Sequence, residues 1–235
     1  MEGEKMNGRI LRPEQQRLQW PIVGKVKIGM KSDRGYPMSV DYFIPSGKYA
    51  SLFTKAYGDK PQTIQVVFPS DEAGQVCREF YEYRDDSGAL VARGDGENFE
   101  VWSAKSCKYE PCTATDHPDI MQIVKQRYPS KQDWSVKLSA LFILPLVRGI
   151  AGLWQFETKG AASSVQNVAS AFDLMLNERG FVKGVIFDLN VQFAKSQKPN
   201  QKSRYPVVSL VPNESETNLR LIQDAKKPIQ IIENQ

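Results

Sequence analysis

Histidine is nearly missing from this 235-residue chain, with His117 the only one. A Ser-His-Asp or Cys-His site would have to run through that one imidazole, and a zinc centre needing two or three histidines is excluded. Cysteine is scarce as well. Cys77, Cys107 and Cys112 form no disulfide framework, and their odd number suits a reducing cytoplasm. There is no Walker A sequence, and no G-x-G-x-x-G follows a strand-like run. The longest apolar stretch, residues 138–154, is cut by Ser139, Pro145 and Arg148, too short and too interrupted to span a bilayer. Residues 1–12 carry charge and glycine where a signal peptide needs an apolar core. A cytoplasmic protein with no membrane partner is expected. A strong excess of one charge is also lacking: 31 Lys and Arg oppose 27 Asp and Glu, for a net +4. Chains that live on phosphate contacts concentrate far more basic residues, so nucleic acid is permitted as a partner and not demanded. Any hydrolase or transferase chemistry would have to work through carboxylates. These absences lean away from an enzyme, and from a small-molecule substrate.

What is present is an ordinary globular composition, 41% hydrophobic and 25% charged, with enough chain for a substantial core. Residues 1–20 are polar and aperiodic and read as a flexible arm. Residues 21–212 read as one α+β domain, mainly antiparallel β-sheet with a few packed helices. Residues 213–235 read as a C-terminal helix, over 214–226, and a tail. Within the domain, residues 22–28 and 38–44 look like a hairpin, 48–56 like a short helix, and 63–68 like a strand. Residues 71–78 suggest another short helix. Residues 80–83, 89–93 and 99–102 suggest a three-stranded meander joined by Asp/Gly-rich turns. Residues 103–133, with two cysteines, the histidine, three prolines and a helix over 119–127, look like an insertion. Strands are expected at 134–144 and 153–158, and a helix at 161–178. In that helix Val165, Val168, Phe172 and Leu176 share a face, and Gly180 closes it. Residues 182–193 alternate strictly, with Val185, Phe187, Leu189, Val191 and Phe193 on one side. A last strand spans 205–211.

Four constellations carry possible chemistry. Cys107, Cys112 and His117, at spacings of five, supply three ligands for a tetrahedral zinc, with Cys77 or Asp116 as the fourth. Such a site would be structural, and its alternative is a loop with two surface thiols and an exposed imidazole. Zinc is the one cofactor the sequence leaves open. Asp85, Asp86, Asp95 and Glu97 lie in neighbouring turns and could hold Mg²⁺ or Ca²⁺ or do acid–base work, although tight turns select Asp and Gly anyway. Lys195, Lys198, Lys202 and Arg204 surround a polar loop that, with Lys25, Lys27 and Lys31, could face phosphate or an acidic partner patch. No aromatic interleaving accompanies them, and a solvated hairpin loop explains them equally well. Last, Trp154, Phe156 and Thr158 share one strand face, with Gln155 and Glu157 on the other. That strand leads into a helix that Ser163 or Ser164 could cap. Its surplus of polar detail makes this strand–helix junction, with Ser164 and Asn167, a candidate partner surface beside the basic loop.

The order of short segments also resembles a known family. It runs from Gly24-Lys25-Val26-Lys27-Ile28-Gly29 through Tyr36-Pro37, Asp41-Tyr42-Phe43, Tyr57-Gly58-Asp59-Lys60-Pro61 and Val66-Val67-Phe68-Pro69. It continues through Gly94-Asp95-Gly96-Glu97, Leu144-Pro145 and Leu153-Trp154-Gln155-Phe156-Glu157-Thr158 to Ser164-Val165-Gln166-Asn167-Val168. Over residues 22–211 the chain is similar to the recombination directionality factor-like family, large accessory proteins of phages and mobile elements that use serine integrases. The resemblance implies no catalysis. It implies a partner, a serine integrase on its attachment-site DNA, switched from integration to excision, with direct DNA contact weak or absent. Relatives with more cysteines in the middle segment suggest a zinc knuckle there, of which this chain keeps Cys107, Cys112 and His117. The competing readings are a nucleic-acid-binding accessory protein of a mobile element, using residues 195–204, and a metal-dependent hydrolase on Asp85, Asp86, Asp95 and Glu97.

Overall fold

The computed structural model describes residues 20–195, 203–215 and 218. The expected arm, the centre of the basic loop and most of the expected C-terminal helix lie outside them. Among the described residues eleven strands form two sheets. The first hairpin is β1 (Ile22–Lys31) and β2 (Pro37–Ser46), followed by α1 (Ala50–Tyr57) and β3 (Thr63–Val67). Then come α2 (Ala73–Val76), β4 (Cys77–Arg84), β5 (Leu90–Gly94), β6 (Asn98–Ser103), β7 (Lys108–Thr113) and α3 (Ile120–Arg127). The second half holds β8 (Ser135–Phe142), β9 (Leu153–Thr158), a π-helical turn (Ala161–Val165) running into α4 (Gln166–Arg179), β10 (Ile186–Lys195) and β11 (Arg204–Pro212). The large sheet has the order β2-β1-β9-β8-β4-β5-β6-β7, and the small one β11-β10-β3. All ladders are antiparallel except β1–β9, so the α+β reading holds with one parallel pair added.

The alternation in β10 does what the sequence promised. Phe187, Leu189 and Val191 are buried, and they meet Ile64 and Val66 of β3, Val208 and Leu210 of β11, and the inner face of the large sheet. Phe193, the next residue of the series, runs past the core and is 38% exposed. In α4, Val168 and Phe172 are buried against this core while Leu176 packs at its edge. Gly180 ends the helix in the left-handed backbone, φ 79°, and its amide donates to the Leu176 carbonyl. Phe68 sits at the centre, with the rings of Phe172, Phe187 and Phe142 at 5.0, 5.7 and 6.5 Å.

Two expectations change. Residues 71–78 give only a four-residue helix, because β4 already begins at Cys77 to pair with β8. Residues 103–133 do not interrupt the β pattern. Their first part is β7, which pairs with β6 from Asn98↔Thr113 to Ser103↔Lys108 and makes the meander four-stranded. As an outer strand β7 is paired on one side only, so it tolerates Pro111 and shows little apolar alternation. The following α3 covers the far end of the same sheet, with Ile120 and Val124 against Tyr83, Val91, Ala92, Phe99 and Val101 in a second, smaller core.

Candidate functional site

The acidic quartet is not a cluster. Asp85 and Asp86 lie in the β4–β5 turn and Asp95 and Glu97 in the β5–β6 turn, at opposite ends of the five-residue β5. Five strand residues separate those turns by about 16 Å. Asp85 accepts from the Ser87 hydroxyl at 2.6 Å and the Ala89 amide at 2.9 Å, and Asp95 from the amides of Asn98 at 2.7 Å and Glu97 at 3.0 Å. Bonds to Ser87, and to the Asn98 amide, hold these two carboxyls below their ordinary range. Asp86 accepts from the Ser130 hydroxyl and the Lys131 amide, tying the turn to the chain entering β8. Asp85 and Asp95 build their turns.

The candidate zinc ligands are also apart. Cys107, exposed with φ 52°, lies in the β6–β7 turn, and Cys112 lies five residues along β7. An extended strand spaces them by about 16 Å, far beyond the reach of one ion. His117 is exposed past the other end of β7, its amide bonded to the Thr113 carbonyl at 3.0 Å. Among the described residues no group of three His, Cys, Asp or Glu side chains is arranged to hold a metal.

The strand–helix junction is interior. Trp154 and Phe156 are 2% and 0% exposed, packed on Phe53 and Phe43, and Thr158 and Ser164 are buried as well. The expectation that these four side chains face a partner is corrected by their burial: the alternation of β9 turns Trp154, Phe156 and Thr158 to the core, and the π-helical turn that follows buries Ser164. Neither Ser163 nor Ser164 caps the helix. Instead the Ser164 hydroxyl accepts from the Val208 amide at 3.0 Å, and the exposed Asn167 donates to the Val208 carbonyl at 3.5 Å, so the pair clamps β11.

The basic loop fares differently. Lys195 and Arg204 pair across the end of β10–β11 and are exposed, while Lys198 and Lys202 lie outside the described residues. Aromatic neighbours absent from the sequence reading are there: Phe193 and Tyr205 are 38% and 40% exposed beside them. Lys25, Lys27 and Lys31 are exposed on β1, whose partner β2 packs against β10 and β11.

A different feature escaped the sequence entirely. β4 pairs with β8 along residues 77–82 but with β5 only from Tyr81 onward, because β5 stops at Gly94 opposite Tyr81. Residues 77–80 are therefore paired on one side. Beside them opens a notch of about 1040 Å³, walled by α2, α4 and the β5–β7 hairpins. Gly94 is needed at its rim, since a Cβ there would run into the Asn98 carbonyl and the Phe99 ring. Five acidic residues line the notch (Glu79, Asp95, Glu100, Asp116 and Asp173) against two basic ones, Arg78 and Arg93. Arg93 is held by Glu100 at 2.6 Å. Partial burial, and then the charge of Asp173, push the Glu79 carboxyl above its ordinary value. Burial with the same two carboxylates pushes the Cys77 thiol up to about 12, which makes it a poor nucleophile.

Residues 23–213 match the family model described as Gp3-like, recombination directionality factor-like. The chain belongs to that family. No curated protein and no solved structure matches it. The Gp3-like match runs from the second residue of β1 to the residue after β11, so both sheets, the notch and the meander fall within it. No described helix of this Gp3-like chain is long and apolar enough to cross a membrane.

Proposed function

We propose that the protein is a non-enzymatic regulator that binds a serine integrase on its attachment-site DNA and switches site-specific recombination from integration to excision. The observation that carries this reading is the family match across residues 23–213, the whole of the two-sheet fold. The side chains support it: Asp85 and Asp95 are held by amides of their own turns at opposite ends of β5, and Asp86 by the Lys131 amide ahead of β8. A directionality factor needs no bond-making group. Binding one arrangement of the integrase complex a hundredfold better than another takes about 2.7 kcal/mol of differential affinity, which a modest interface supplies.

The test is recombination in vitro with the serine integrase encoded on the same element. Added protein is expected to start recombination between the product sites of integration and to inhibit recombination between the original pair. Unchanged yields in both directions would overturn the reading. A second reading, direct nucleic-acid binding, is favoured by one feature, the exposed Phe193 and Tyr205 beside Lys195 and Arg204. It predicts DNA binding without integrase that falls steeply with salt and is weakened by Lys195→Glu with Arg204→Glu. Mobility shifts that need integrase support the first reading instead.

A further inference from the structure

We infer that the notch beside residues 77–80 of β4 is a docking slot that takes an extended, lysine- or arginine-bearing segment of a protein partner as an added strand. A strand turns its peptide groups alternately to its two sides. Along residues 77–80 one side is satisfied by β8, and the other faces the notch with no neighbouring strand. Outside the β8 ladder, the backbone groups of Arg78, Glu79 and Phe80 make no hydrogen bond among the described residues. Open edges of this kind are the templates on which peptides add as strands, the backbone supplying affinity and side-chain surroundings supplying specificity. Here the edge is recessed between α4 and the β5–β6 turn, so a short segment can enter while a whole sheet cannot stack on it.

Charge selects the occupant. The chain as a whole is +4, yet the notch carries five carboxylates against two guanidinium groups, one of them already paired with Glu100. Glu79 and Asp173 make no ion pair among the described residues. They repel one another across the opening, and a basic side chain between them would relieve that repulsion. Phosphate is disfavoured for the same reason, which separates the notch from the basic hairpin of β10 and β11. The inference rests on the proposed function only for the identity of the partner, an integrase segment.

The experiment is hydrogen exchange on the full chain with two hexapeptides, one alternating valine and lysine, the other valine and glutamate. At millimolar peptide the valine–lysine sequence is expected to slow exchange in residues 77–80 at least tenfold, and the glutamate sequence to leave it unchanged. Glu79→Gln with Asp173→Asn, both exposed positions that should fold normally, is expected to weaken the valine–lysine peptide at least fivefold. Equal protection by both peptides, protection elsewhere only, no protection at all, or an unweakened double variant would overturn the slot. Integrase capture by the same proteins separates the two claims. Capture by the wild type without peptide protection sinks the slot and leaves the proposed function standing, and protection without capture does the reverse.

Discussion

The two cores under the large sheet are held together differently. The larger, between the sheets and under α4, is an aromatic and aliphatic cluster in which Phe142, Phe172 and Phe187 pack edge to face on Phe68. The smaller, under α3 at the end of the meander, has few apolar residues and fastens them with polar ties. The Tyr83 hydroxyl donates to the Tyr128 carbonyl at 2.8 Å, the Tyr128 hydroxyl to the Trp102 carbonyl at 2.7 Å, and the Trp134 indole to the Met121 carbonyl at 3.1 Å. Burial scales with the apolar area available. A two-turn helix at the end of a sheet offers little of it, so hydroxyl and indole groups fix the position that packing alone would leave loose. The notch lies where one core ends and the other begins.

The hardest blow to the comparison falls on the first core. Phe172→Ala removes a fully buried ring that touches Phe68 and is expected to cost about 3–5 kcal/mol. Urea unfolding should show a lower midpoint with an unchanged slope. A cost under about 1 kcal/mol would mean that this core is not the stabilising one.

Next comes the seam on the outer sheet face. Glu82 and Lys137 are buried and ion-paired, and Arg84 pairs with Glu82 from a more exposed position. Lys137→Ala leaves Glu82 with Arg84 alone and is expected to cost about 3 kcal/mol, the low end for breaking a buried pair. Burial acts to raise the Glu82 pKa, but hydrogen bonds from Arg84 and Lys137, with their charges, bring it below its ordinary 4.5. A depressed folded pKa means that the unfolded chain takes up the proton first. The stabilisation is present above pH about 4.5 and disappears as pH falls through the folded value. Urea midpoints between pH 7 and 3 should therefore fall more steeply in the wild type than in the Lys137→Ala protein.

In the smaller core, Tyr83→Phe keeps the ring against Trp134 and removes only the hydroxyl that the Tyr128 carbonyl accepts from. About 1–2 kcal/mol is expected, with faster hydrogen exchange in α3 and little change in β10. Uniform acceleration across both would show that the cores unfold as one unit.

The same contrast explains what could be read from the chain. Periodicity reports residues buried at regular spacing, so β10, through Phe187, Leu189 and Val191, and α4, through Val168 and Phe172, were legible. So were the turn roles of Asp85 and Asp95, which are local chemistry. β7 was not, because a strand paired on one side with Pro111 in it has no alternation to show. The inward turn of Trp154 and Phe156 was half legible: their shared face was plain, but which side faced the core depends on α1 and β2. The notch could not be read at all. It exists because β8, some fifty residues downstream, pairs further along β4 than β5 does, a mismatch between distant segments.

The smallest expected effect tests whether polar ties are the whole account of the smaller core. If a metal joined Cys107, Cys112 and His117, that ion rather than the tyrosine hydroxyls would hold the meander to α3. The ladder from Asn98↔Thr113 to Ser103↔Lys108 keeps β7 extended, so bringing the two thiols onto one ion would require breaking it. Adding a strong chelator, or replacing the exposed thiol alone by Cys107→Ser, is therefore expected to shift stability by less than about 0.5 kcal/mol, as for ordinary surface changes. A large fall in melting temperature with chelator, together with zinc found at one ion per chain, would transfer the work from Tyr83 and Tyr128 to the metal. The Tyr83→Phe effect should then shrink in the zinc-loaded protein and grow in the stripped one.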